Sequence, residues 1–294
     1  MIYILDLEFL DINKAIAAFL VETNEGLVLI ESGPYSTFNN LKKAVKKVGY
    51  ELDDIKHVLL THIHFDHAGA AWALAEKGAK VYVHPIGYPH MADPTKLTQS
   101  AKRIYQDDME RLWSDMKGID EDNLIAVEDY NTIQLGDKTF VAHHTPGHAV
   151  HHIAWQTEDI LFTGDVAGVK IGDGMAVPPC PPPDINIEDW LNSIERMKKL
   201  EVNILYLTHF GKVDNKTNHL LELEKILLSW ANWMKPHFEN GEKIESITPE
   251  FKAFVNKQLS EYGIDKNGLI QYEAANPTFM SVVGLMRYWK KKLQ

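Results

Sequence analysis

The sequence predicts an α/β protein carrying a helical C-terminal extension. Three observations predict it: strand-like runs alternate with amphipathic helical stretches, those runs fall into two series, and beyond about Asn215 only helical spacing remains. With 294 residues and 45% hydrophobic content, the chain can bury a sizeable core.

Ile2 to Leu10, Ala15 to Glu22 and Gly26 to Glu31 read as strands, the last two joined by the turn residues Asn24, Glu25 and Gly26. Glu31, Ser32, Gly33 and Pro34 break the sheet, and Thr37 to Val48 places Leu41, Ala44, Val45 and Val48 on one helical face. Ile55 to Leu60 is a short buried strand. The small residues Ala68 to Ala73 open a helix that reaches about Lys77, and Lys80 to His84 is the next strand. Leu97 to Met116 repeats apolar residues at steps of three or four, which predicts one long amphipathic helix delivered by the loop Pro85 to Pro94. Its stripe suits packing first, and it also suits the wall of a substrate cavity.

The second strand series is Leu124 to Val127, Thr132 to Leu135, Lys138 to His143, His152 to Gln156 and Ile160 to Thr163. Ala167 to Asp184 is an ordered loop rather than a helix or strand, because its prolines lack the backbone donors such elements need. A helix over Ile187 to Lys199 and the strand Asn203 to Leu207 complete this half. Helices then follow around Leu223 to Met234, Pro249 to Leu259 and Thr278 to Lys290, and the basic run Lys290 to Lys292 complements the dipole of the last one. The expected division is an α/β domain over 1–214, with its helical insertion at about 85–117, and a helical extension or cap over 215–294.

The formal net charge of -11 argues against a long nucleic acid partner, which would call for a basic surface field. A single cysteine, Cys180, rules out an internal disulfide, fits a reducing compartment and removes thiolate-rich zinc sites. No apolar run is long enough to span a bilayer, and the N-terminus carries Asp6, Glu8 and Asp11 with no basic leader. The expectation is a cytoplasmic protein with a small-molecule substrate and no membrane partner. Exposed faces of the extra helices leave room for a homodimer.

Thr61 to Gly69, reading THIHFDHAG, places three histidines and an aspartate where a strand ends and a helix begins. Burying so many polar groups without a shared partner is costly, so the cluster points to metal. His62 and His64, two apart on extended backbone, share a face, while Asp66 and His67 follow at the turn. Further candidates end later strands: His148 after Thr145-Pro146-Gly147, Asp165 after Thr163-Gly164, and His209 after Leu207-Thr208. Each alone is a weak turn signal.

Their order after HxHxDH resembles the metallo-β-lactamase superfamily, in its hydrolase branch near glyoxalase II and the lactonases, over about Ile2 to Lys212. That resemblance implies a four-layer αβ/βα sandwich with metals at one edge. It implies that His62, His64 and His148 hold one ion, that Asp66, His67 and His209 hold another, and that Asp165 bridges them. Zinc suits such N and O donors, and iron or manganese is also accepted. Two ions about 3.5–4 Å apart can share a hydroxide whose pKa falls toward about 7, leaving Asp66 to orient the water and shuttle its proton. One position departs from the family: Glu31-Ser32-Gly33 stands where D-x-G is usual, so Glu31 is a candidate support for the metal-binding loop.

The leading expectation is hydrolysis of a small ester-like substrate, a thioester or a lactone. One rival is a phosphodiesterase on a small phosphodiester, which would want cations near the site. Another is an iron-dependent oxidoreductase or dioxygenase of the same superfamily, although oxygen-reducing members usually add a flavin domain and replace the residue at His64 by glutamate. His57, His90, His143, His144, His151 and His152 are expected to be spectators, and Cys180 a packed loop thiol. Specificity in such folds lives in loops and caps, here Pro85 to Met116, Ala167 to Asp184 and the C-terminal helices.

Overall fold

In the computed structural model, which describes residues 1–293, twelve strands form two six-stranded sheets. The first runs in chain order through β1 (Ile2–Asp6), β2 (Ala17–Thr23), β3 (Gly26–Ile30), β4 (Ile55–Leu59), β5 (Lys80–Val83) and β6 (Leu124–Ala126). The second does the same through β7 (Thr132–Leu135), β8 (Lys138–His144), β9 (Ile153–Thr157), β10 (Ile160–Gly164), β11 (Ile204–Leu207) and β12 (Gly211–Val213). Strands β3 to β6 are parallel, as are β10 and β11. The C-terminal ends of β3, β4, β10 and β11 carry the sequence motifs.

Both faces of the central strands are buried, which is why they read as continuous apolar runs. In β2, Ala17, Phe19 and Val21 face the other sheet, while Ala18 and Leu20 face the outer helices. Phe19, Ile30, Leu59, Phe140, Trp155 and Phe162 fill the space between the sheets. The Trp155 indole donates to the Leu60 carbonyl at 2.9 Å, pinning one sheet to the other beside the motif loop.

Helices cover the two outer faces. On the first sheet lie α1 (Phe38–Lys47), α2 (Phe65–Ala68) and α3 (Ala71–Ala75), joined by an insertion of α4 (Tyr88–Ala92), α5 (Thr95–Tyr105) and α6 (Met109–Leu112). On the second lie α7 (Ile187–Lys199) and α8 (Lys216–Glu239), followed by α9 (Ile244–Glu261), α10 (Lys266–Ala275) and α11 (Thr278–Leu293). Trp190, Leu205, Leu223, Trp230, Phe251 and Leu285 belong to one core, so the C-terminal helices extend the outer layer. The result is the four-layer helix, sheet, sheet, helix sandwich. No helix among the described residues is long and apolar enough to cross a membrane.

Local structure departs from expectation where backbone bends override periodicity. The stretch Leu97 to Met116 is two helices, because Gln106 takes φ 47° and a tight turn over Gln106–Asp108 intervenes. The bend brings the Tyr105 and Trp113 rings within 5.2 Å; eight residues of unbroken helix would separate them by about 12 Å along the axis. The first strand ends at Asp6, since Glu8, Leu10 and Asp11 have positive φ and fold into a turn. Three elements carried too little pattern to be expected: α4 is a five-residue helix inside the loop expected over Pro85 to Pro94, β12 has three residues, and α10 mixes Gln271 with Tyr272 and Ala275 on its buried side. The helix expected from Pro249 starts earlier, at Ile244.

Candidate metal centre

The seven sequence-predicted ligands come from four separate loops and meet at one sheet edge. His62 and His64 leave the end of β4, Asp66 and His67 lie in α2, His148 follows β8, Asp165 follows β10 and His209 follows β11. Two glycines make the approach feasible. At Gly147 (φ 133°) a Cβ would lie 2.3 Å from the Trp190 backbone, and at Gly164 (φ 48°) it would lie 2.3 Å from Thr61 Oγ1.

The outer ring nitrogens decide how the imidazoles present themselves. His148 Nδ1 donates to the Pro179 carbonyl at 2.8 Å, His209 Nδ1 to the Ala15 carbonyl at 2.7 Å and His67 Nδ1 to Glu31 Oε1 at 2.8 Å. His62 Nδ1 faces Thr61 Oγ1 at 3.0 Å, and that hydroxyl donates to Glu31 Oε1 at 2.5 Å. A neutral imidazole whose Nδ1 carries the proton offers a lone pair at Nε2, so four rings aim lone pairs inward.

Two groups result. His62 Nε2 lies 2.9 Å and His148 Nε2 3.1 Å from His64 Nδ1, three nitrogens around one point. In the second, Asp66 Oδ2 lies 3.6 Å from His67 Nε2 and 3.5 Å from His209 Nε2. Asp165 stands between them, with Oδ1 3.3 Å from both His67 and His209 and Oδ2 3.2 Å from His148. Each group has ligand atoms close enough to share an ion. His67 Nε2, His209 Nε2 and Asp165 Oδ1 are buried and make no hydrogen bond, although they face one another at 3.3 Å. Buried polar atoms without partners are rare, and their convergence at the second group fits a bound cation.

Electrostatics agrees. Burial lowers the proton affinity of His62, and the neighbouring imidazoles His67, His64 and His148 lower it further. Burial and then His148 bring His64 down to about 3. For His209 burial also opposes the charge, but Asp165 and Asp66 outweigh it and hold the ring at about 9. The Asp66 carboxyl is disfavoured as an anion by burial, yet His67 and His209 hold it at about 2. In the protein alone, protons therefore occupy the second group, and a metal must displace them.

Glu31 lies fully buried at the centre of the supporting network, with φ 65°. Besides His67 and the Thr61 hydroxyl, it accepts from the Thr61 amide at 3.2 Å and the Thr208 hydroxyl at 3.2 Å. Glu31, His62 and His67 also form a cluster of metal-binding types, but Glu31 is engaged by these donors.

The other histidines divide. His143 pairs with Gln156 and His144 with the Val127 carbonyl, both away from the centre. His151 and His152 precede β9, so strand alternation does not apply to them. His152 stacks on His62 at 5.0 Å, meets Thr145 Oγ1 at 2.9 Å and accepts from the Asp165 amide at 3.3 Å. It holds Asp165 in place; its burial beside two ligand loops was the signal that chain order alone hid. His151 lines the cavity, as does His90. His57 bonds Tyr82 at 3.0 Å. Cys180 is fully buried, and burial pushes its thiol up, out of reach of nucleophilic chemistry.

The ligand edge opens into a cavity of about 960 Å³ whose wall includes His64, Asp66 and Asp165. Paired ligand groups at one edge of two facing sheets, with helices outside, define a metal-centre protein of the αββα class. A profile of the metallo-beta-lactamase superfamily matches residues 13–209, and the chain belongs to that superfamily. It is 32% identical over 169 residues to a metallo-beta-lactamase fold-containing protein of Sulfurisphaera tokodaii, covering 56% of this chain and 64% of that one. It is 28% identical over 209 residues to an atrochrysone carboxyl ACP thioesterase of Pseudocercospora fijiensis, covering 67% of this chain and 50% of that one. A metallo-beta-lactamase family protein from Thermus thermophilus has the same fold, with TM-score 0.73 and 17% identity over 99% of this chain and 93% of that one. The chain spans under two thirds of the length of the first curated relatives it matches.

Proposed function

We propose that the chain is a dinuclear metal-dependent hydrolase of a small ester-like substrate, a thioester before a lactone. The observation that carries the reading is Asp165, whose two carboxylate oxygens face two different ligand groups at 3.2 and 3.3 Å. His62, His64 and His148 would hold one ion, Asp66, His67 and His209 the other, with Asp165 shared. Zinc is the first choice for such imidazole and carboxylate donors. Bound there, two ions would supply a water nucleophile of lowered pKa and a Lewis acid for the substrate oxygen.

The chain's own residues do the rest. Asp66 is the more accessible of the two ligand carboxylates that line the cavity, 23% exposed against 5% for Asp165, so it is placed to take a proton from the attacking water and return it to the leaving group. Glu31 fixes the His67 ring and, through Thr61, the His62 ring. The largely apolar lining of the cavity lowers the polarity around the reacting carbonyl, which strengthens the electrostatic interactions that favour attack. The similarity to a protein named as a thioesterase supports the thioester. Metal analysis, joined to hydrolysis rates on matched thioester, lactone and phosphodiester panels, tests the reading. Two metals per chain with thioester turnover is the expected result; a phosphodiester preference, or one iron per chain, would overturn it.

A further inference from the structure

The cavity beside the ligand edge has two kinds of wall. One is aromatic: Trp113 stacks on Phe9 at 5.6 Å, lies 5.9 Å from Phe65 and meets Tyr105 edge-on at 5.2 Å. Phe279 and Met280, at the start of α11, line the same space. The other wall is one edge of α5, where Lys96, Ser100 and Arg103 follow at steps of four and three and all line the cavity.

A cationic row on a helix is ordinarily a solvated face. Here, however, neither Lys96 nor Arg103 closes an ion pair among the described residues, whereas Arg111 is matched by Asp108 and Glu273 by Lys252. The chain as a whole carries -11, so two cations without a close ion pair along one edge of a largely apolar cavity, whose lining also includes Asp184, run against its general balance. The volume, about 960 Å³, is near the upper end of the roughly 300–1,000 Å³ usual for ligand pockets.

We infer that this chamber binds an amphiphilic anion, its apolar chain or ring system against the aromatic wall and α11, and its anionic group on the Lys96 and Arg103 row. The substrate is then an ester or thioester that joins an extended apolar acyl part to a negatively charged part. This deepens the hydrolase reading and rests on it for the bond that is cut, but not for the binding.

Calorimetry with non-hydrolysable probes separates the two. Decanesulfonate, ethanesulfonate and neutral decyl methyl sulfone are titrated into the zinc-loaded protein and into K96A/R103A, whose substitutions lie on an exposed helix edge. Decanesulfonate is expected to bind at least about tenfold more tightly than ethanesulfonate, because longer chains bury more apolar surface. K96A/R103A is expected to weaken decanesulfonate about three- to tenfold and to leave the sulfone unchanged. Equal binding of the two sulfonates, or no change in K96A/R103A, would overturn the inference. Turnover of phenyl acetate and of decanoyl thioesters is measured in parallel. Tight, chain-length-dependent binding with no turnover of either would leave the amphiphile site standing and remove the hydrolase reading; turnover without chain-length dependence in binding would do the reverse.

Discussion

At the ligand edge, each of four imidazoles has its outer nitrogen tied to a frame atom: Pro179 O, Ala15 O, Glu31 or Thr61. In the chamber, by contrast, α5 has only Ala101 fully buried and breaks at Gln106 after three turns. The edge is over-determined, whereas the α5 side of the chamber buries little of its own surface. The first arrangement suits chemistry that tolerates little displacement of its reacting groups, the second a surface that can adapt to what it binds.

The largest effect is expected at Asp165, between the two candidate ligand groups. Asp165→Asn is expected to abolish hydrolysis and to lower metal content below two per chain; full metal content with activity intact would show that no ligand is shared. Next comes Asp66→Asn, expected to reduce kcat by about 10²–10⁴-fold where both metals stay bound, the range for loss of a proton-transfer group. Unchanged kcat in such a protein would remove Asp66 from proton transfer.

Glu31→Gln perturbs the frame that holds the His67 and His62 rings. It keeps the size but replaces an acceptor with an amide, and metal affinity is expected to fall by about 10–100-fold, measured by competition with a chelator. A loss within twofold would make Glu31 a spacer.

The pH dependence follows from His209. Its pKa is raised from 6.5 to about 9 in the folded protein, so the charged ring contributes stability fully below 6.5, and that contribution is lost as the pH rises through 9. The chelator-treated protein is therefore expected to melt at lower temperature at pH 9.5 than at pH 6.5, and zinc uptake is expected to weaken as the pH falls below about 9. A flat melting profile across that window would contradict the ion cluster. The smallest effect belongs to the intersheet tie: Trp155→Phe removes the 2.9 Å bond to Leu60 and leaves that carbonyl buried, lowering Tm by about 2–8 °C.

Much of the edge was legible because its residues come as dense motifs at strand ends. His62, His64, Asp66 and His67 are consecutive or nearly so, and the three later candidates each sit where a strand gives way to a loop. Glu31 stood out as a departure from a pattern, but its four-donor setting did not, since Thr61 and Thr208 are distant in the chain. His152 was grouped with its neighbours, because nothing local distinguishes a ring that supports Asp165 from one that faces away. The helix Leu97 to Met116 looked continuous because apolar spacing survives a one-residue change of backbone direction.

The class of fold and the residue types of the candidate ligand set follow from the sequence alone, since strand alternation and side-chain type are properties of short stretches. Tertiary structure alone decided how those residues meet. The two faces of Asp165, the inward aim of each imidazole and the cationic edge of α5 along an aromatic chamber depend on contacts between segments up to 194 residues apart, such as His209 on Ala15, which no local pattern encodes.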